Sequence, residues 1–149
     1  MRLLDGTGEQ DPQEGREALK APARTRVFSG APWERRFGYC RAVRAGNHVF
    51  VSGTAPVAPD GSTFAPGDAY AQMKRCLEIV AEALRGVGAG PEHVVRTRMY
   101  VTDISRSEEF GRAHAEAFGA APPATAMVEV KALIAPDMLC EVEVDAIVE

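Results

Sequence analysis

The chain has little of what marks most kinds of chemistry. It holds three cysteines and three histidines in 149 residues. Cys40, Cys76 and Cys140 have no metal-type spacing, and neither have His48, His93 and His114, so neither set suggests a zinc site. Three cysteines is an odd count, which fits reduced thiols in a cytosol better than a disulfide framework. No base neighbours Cys40 or Cys140 to make either a nucleophile, and each histidine reads as a surface residue. Positive charge is also scarce. Lys and Arg number 17 against 21 Asp and Glu, a net charge of −4, which gives no reason to expect binding to nucleic acid or to a membrane surface. No apolar run approaches the roughly 20 residues of a membrane span. The first residues lack the basic-then-apolar order of a signal peptide. Ser52-Gly53-Thr54 is not a nucleophile elbow, and the glycines form no phosphate-binding loop. The one tryptophan, Trp33, precedes the first strand-and-turn pair at residues 40–51 and reads as packing for the amino-terminal segment.

What is present is the pattern of one domain. Residues 1–24 are low in large apolar side chains and rich in Gly, Glu, Gln and Pro; they read as a flexible extension. Residues 25–149 carry the periodicity of a folded unit. Val27-Phe28 and residues 40–51 read as strands, joined at Ala45-Gly46-Asn47 by a turn. Pro59-Asp60-Gly61-Ser62 marks a loop tip. From Asp68 to about Val87, Tyr70, Met73, Leu77, Val80 and Leu84 recur at helical spacing, and Gly86, Gly88 and Gly90 stop the run. Residues 94–101 read as a strand. Ser105 or Ser107 can cap a second helix that ends near Gly119. Residues 124–133 and 139–148 are the last two strands. This order predicts an α+β sandwich, two helices on one face of a mostly antiparallel sheet.

The strands divide by face. Cys140, Val142, Val144, Ala146 and Val148 oppose Glu141, Glu143 and Asp145. Val95, Thr97, Met99 and Val101 oppose Arg96, Arg98 and Tyr100. In the fifth strand Ala124, Ala126, Val128 and Val130 are assigned to the apolar face, with Thr125, Met127, Glu129 and Lys131 on the other. The polar face is either solvated or an oligomer interface in which Arg and Glu pair. Like charges spaced along such a face, with interface burial, raise carboxyl pKa values toward a useful acid–base range.

Five blocks then fall in a recognisable order: Tyr39-Cys40-Arg41-Ala42-Val43-Arg44-Ala45-Gly46-Asn47, His48-Val49-Phe50-Val51-Ser52-Gly53-Thr54, the strand from Val95 to Asp103, Pro122-Pro123-Ala124-Thr125-Ala126-Met127-Val128-Glu129-Val130, and Val142-Glu143-Val144-Asp145-Ala146-Ile147. Together they resemble the RidA/YjgF family of imine and enamine deaminases, over about residues 38–149. The resemblance implies a chorismate-mutase-like fold, a homotrimer with small-molecule pockets between subunits, and no metal or organic cofactor. It places Glu143 at the glutamate that activates water. Tyr39, Gly53 and Tyr100 fall at pocket positions. Thr125 stands where the family's arginine grips the substrate carboxylate, Met127 where a small residue is usual, and Arg41 where glutamine is usual.

Threonine offers one neutral hydroxyl where arginine offers a planar fork of charged donors. The usual 2-imino acid deamination is therefore in question, unless Arg41 or Arg98 supplies a guanidinium. Glu143 either serves as the proton acceptor or pairs with Arg96 or Arg98 to hold subunits together. Three functions stay open. The first is hydrolysis of an imine, enamine or related metabolite. The second is non-catalytic ligand binding or a chaperone-like stress role. The least favoured is an endoribonuclease or translation inhibitor.

Overall fold

The structure, a computed structural model, describes residues 23–149. The expected amino-terminal extension lies outside the described residues except for its last two. Six strands form one mixed sheet in the order β1-β2-β3-β6-β4-β5: β1 (Thr25–Val27), β2 (Ala42–Ala45), β3 (His48–Thr54), β4 (Val94–Val101), β5 (Ala124–Glu129) and β6 (Cys140–Ile147). Only β4 and β5 run parallel; every other neighbouring pair is antiparallel. Gly46-Asn47 turns β2 into β3, with Gly46 at φ +61° as a tight hairpin requires.

Two helices, α2 (Ala69–Gly86) and α3 (Ser107–Phe118), cover one face of the sheet. Asp68 caps α2, its carboxylate accepting from Ala71 N at 3.0 Å. Met73, Cys76, Leu77, Val80 and Leu84 are buried against Val142, Val144 and Ala146 of β6 and Val49 and Val51 of β3. The helix stops because Gly88 takes φ +75°. Gly86 has another reason to be small: a Cβ there would meet Val27 Cγ2 at 2.6 Å, so β1 packs on the last turn of α2. Phe110 of α3 is fully buried and completes the core. Across the helix pair, Tyr70 donates to Glu116 at 2.6 Å, and the Arg112 guanidinium lies 4.1 Å from the Tyr70 ring centre. Among the described residues, no helix is long and apolar enough to cross a membrane.

Several expectations need correction. Neither Ser105 nor Ser107 caps α3. Asp103 accepts from the N–H and hydroxyl of Ser105, at 3.0 and 2.5 Å, and so caps a single 3-10 turn (Ile104–Arg106) that leads into the helix. Val95 is not core. The β4–β6 register shifts between Val94 and Arg96, so Val94 takes the buried place and Val95 is left exposed. The fifth strand ends at Glu129, short of the expected 133. A short helix, α1 (Pro32–Phe37), was not foreseen. It holds Trp33 on its own surface, stacked on Phe37 at 5.4 Å with Arg36 over both rings.

The largest correction concerns β5. Its register pairs Thr125 with Thr97 and Met127 with Met99, and paired residues share a face. Thr97 and Met99 point toward the helices and are buried. Thr125 and Met127 therefore lie on the helix side, while Ala124, Ala126 and Val128 join Arg98 and Tyr100 on the open face.

Candidate functional site

The open face carries a charged stripe along β6 and β4. Alternation puts Glu141, Glu143 and Asp145 there because Cys140, Val142 and Val144 are needed inside, each of them fully buried. The Arg98 Nη1 donates to Asp145 Oδ2 at 3.1 Å and lies 3.7 Å from Glu143 Oε1. Arg98, not Arg96, is thus the cation beside Glu143. The Tyr100 hydroxyl donates to Glu143 Oε1 at 2.5 Å. That bond to a carboxylate, with some burial, holds the Tyr100 phenol above its ordinary pKa, so it remains a donor.

Next to this stripe the β3–β6 register shifts between Val51 and Thr54, placing the Ser52-Gly53 bulge opposite Glu143. A Cβ on Gly53 would overlap Glu141 Oε1, so glycine leaves the room that this carboxylate occupies. The Arg41 Nη2 donates to the Gly53 carbonyl at 2.6 Å, and its Nε is buried without a partner. Burial pushes the Glu141 carboxyl above its ordinary range; the Arg41 guanidinium opposes this and Glu143 adds to it. Behind Arg41, the buried Glu34 accepts from the N–H and hydroxyl of Ser29 and from Gly30 N. Burial alone would raise Glu34, but these hydrogen bonds outweigh it and the carboxyl is lowered. Tyr39 is half-buried just after α1, its N–H donating to Glu34 O at 3.0 Å.

Of the residues expected in a site, Arg41, Gly53, Tyr100 and Glu143 therefore share the open face. Thr125 and Met127 do not. On the helix side, Thr97 Oγ1 lies 2.6 Å from Thr125 Oγ1 and 2.7 Å from His114 Nε2 of α3. The His114 ring is tilted against Phe118 at 4.9 Å, and burial lowers its pKa. Thr125 itself is exposed on the edge strand. His114 is thus no simple surface residue. A signal for it was in the sequence: Phe110, His114 and Phe118 are four apart and share one stripe of α3. For Glu141, alternation gave the face but not the bulge that crowds it.

Chemically, the open face joins a proton-accepting carboxylate, a phenol donor and a second carboxyl biased toward its neutral form. This is the equipment of general acid–base chemistry. The helix-side edge offers a neutral hydrogen-bonding wall.

Comparison with known proteins agrees with this architecture. The family model described as Endoribonuclease L-PSP matches residues 31–148. The Streptomyces coelicolor protein SCO2049 is 38% identical over 128 residues, spanning 86% of this chain and 95% of that one. The 3-aminoacrylate deaminase RutC of Acinetobacter baylyi is 31% identical over 104 residues, 70% of this chain and 82% of that one. Among solved structures, Rv2704 of Mycobacterium tuberculosis, described as a member of the YjgF/YER057c/UK114 family, superposes with a TM-score of 0.77. It is 49% identical and covers 85% of this chain and all of its own. By its matched span and its shared α+β fold, this chain belongs to the RidA/YjgF family.

Proposed function

We propose that the protein is a homotrimeric small-molecule pocket protein that hydrolyses an imine, enamine or related metabolite, with Glu143 activating the water. The observation that carries this is the 2.5 Å bond from Tyr100 to Glu143 beside Arg98 on an otherwise uncovered sheet face. In the proposed reaction Glu143 takes a proton from water as its oxygen attacks the C=N carbon. The nitrogen then leaves as ammonia and a carbonyl remains. The name of the Acinetobacter baylyi relative supports enamine chemistry in the family.

Thr125 and Glu143 lie on opposite faces of one sheet. A single pocket can hold both only by joining two protomers, which supports sites between subunits. At the Thr125 wall a charge-assisted bond of about 1.5–3 kcal/mol gives way to a neutral one of about 0.5–1.5 kcal/mol. Arg98 is engaged by Asp145 and Glu143, and Arg41 by the Gly53 carbonyl, so neither stands beside Thr125 within the chain. This observation favours a second reading, a ligand binder or chaperone-like stress protein without turnover. Ribonuclease activity has the least support, since the open face carries three carboxylates on β6 and the chain is net acidic.

The test is ammonia release from freshly generated 2-iminopropionate and 2-iminobutyrate, by the wild type, Thr125→Arg and Thr125→Arg/Glu143→Gln. We expect low wild-type activity, a gain of at least tenfold in Thr125→Arg, and its loss when Glu143→Gln is added. If Thr125→Arg is folded and inactive, the deaminase reading fails. If the wild type is fully active, the weight placed on Thr125 fails.

A further inference from the structure

Glu141 and Glu143 stand two apart on β6 and point to the same open face, at positions roughly 7 Å apart by strand rise. Their carboxyls have different surroundings. Glu143 accepts from the Tyr100 hydroxyl and lies 3.7 Å from Arg98 Nη1. Among the described residues, Glu141 takes part in no side-chain hydrogen bond or ion pair. It leans over Gly53 instead, filling the room that the missing side chain leaves. Tyr100 connects the pair: its register partner on β6 is Glu141, and its hydroxyl reaches along the face to Glu143. Both carboxyls thus border the Tyr100 phenol.

Hydrolysis of an imine needs two proton movements. The attacking water must lose a proton, and the nitrogen must gain one before it leaves as ammonia. Glu143 provides for the first. A group that provides for the second must be open to the substrate, hold a proton and tolerate the charge left behind. Glu141 is only half-buried, so its carboxyl is within reach of the open face. Burial raises its pKa, the Arg41 guanidinium opposes this, and Glu143 adds to the rise, so Glu141 keeps its proton to higher pH than a solvated glutamate. Arg41 faces it from the segment before β2, the uncharged Gly53 from β3 and the Tyr100 phenol from β4. The carboxylate formed when Glu141 gives up its proton therefore has one cation near it.

We propose that Glu141 is a second catalytic residue, the general acid that protonates the imine nitrogen while Glu143 takes a proton from the attacking water. In the first step the water oxygen bonds to the carbon, Glu143 receives a water proton, and Glu141 gives its proton to nitrogen as the C=N double bond becomes single. The product is an amino alcohol, with Glu141 charged and Glu143 neutral. In the second step the C–N bond breaks. Glu141 recovers a proton from the new hydroxyl, Glu143 gives its proton to nitrogen, and a carbonyl and ammonia leave. Both carboxyls return to their starting states. The inference rests on the reading of Glu143 as the water-activating base.

Two measurements test it. The first needs no substrate. The side-chain carboxyl ¹³C shift of Glu141, followed from pH 3 to 8 in the wild type, should give a midpoint above the ordinary 4.5; a midpoint at or below that value overturns the proposal. The second uses Thr125→Arg as parent, because that variant is the one expected to turn over 2-iminopropionate. Ammonia release is measured from pH 5 to 9 and corrected for uncatalysed hydrolysis at each pH. The parent rate should fall at both ends of the range. Adding Glu141→Gln, which keeps the shape but has no acidic proton, should lower kcat by about a hundredfold, the lower end of what a positioned acid contributes. It should also abolish the fall at high pH and keep the fall at low pH. A folded double variant within about twofold of the parent, or one that is slower but keeps the high-pH fall, overturns the role of Glu141. Loss of activity on adding Glu143→Gln to the same parent would then leave the deaminase reading standing. If folded Thr125→Arg is itself inactive, the deaminase reading fails and this inference fails with it.

Discussion

Gly53 shows how one small residue shapes the chemistry of the open face. Its backbone is not in the left-handed region; what it supplies is room for the Glu141 carboxylate. Gly53→Ala should fold, because the clashing atom is the far end of a flexible side chain, but Glu141 must swing away. The consequence is readable through pH. The folded-state pKa of Glu141 lies above its ordinary value of 4.5, so the folded protein holds that proton more tightly than the unfolded chain. Glu141 then favours folding most at pH below its unfolded value, and this contribution is lost as pH rises through its folded value. Glu141→Gln should therefore gain stability over the wild type as pH rises through that window, with no further gain above it. Urea unfolding from pH 4 to 8 checks this, and Gly53→Ala should reproduce part of the flattening. An unchanged pH slope in Glu141→Gln would show that this carboxyl is solvated. At this scale the sequence was readable where composition differs between faces, as on β6. It was not readable on β5, where Ala, Ala and Val stand against Thr, Met and Glu and neither set is decisively apolar. Only pairing with β4 settles which set faces inward, and β5 contains no trace of its partner's register.

Among the elements, α2 was legible almost to the residue because three independent signals agree: the Asp68 cap, the three-and-four spacing and the glycines after it. Asp68→Ala should cost about 1 kcal/mol and Asp68→Asn much less, since Asn also accepts from the first-turn N–H; chemical denaturation measures both. Equal losses in the two variants would mean that the side chain of Asp68 matters for something other than its cap. Short or irregular elements were harder. The six-residue α1 does carry Pro at its start and Gly38 past its end at φ +74°, but it is too brief for periodicity to show. The β4 bulge was hidden because Val94 and Val95 are identical side chains, and only the β6 register tells which is buried. The turn at Asp103 was missed because serines were read as caps for a helix whose first turn is entered from a preceding 3-10 turn.

For the molecule as a whole, the open face mixes the charged stripe with apolar side chains, Phe50 and Val128 each being 47% exposed. Such a surface suits association, and the proposed assembly predicts a native mass three times the 16.0 kDa chain. Phe50→Glu adds a like charge beside Asp145, its register partner, and should shift the particle toward monomer; light scattering after size-exclusion chromatography decides. A monomeric wild type would leave Thr125 and Glu143 without a shared pocket. The sheet order has a consequence for how the protein is made. β3 and β4 never pair with each other; β6, the last strand in the chain, lies between them. Until residues 140–147 arrive, the molecule is two half-sheets with bare edges, and closing them requires His48 to meet Ile147 across nearly a hundred residues. Folding should therefore wait on the final strand, and any fragment that stops short of it should offer two open templates for aggregation.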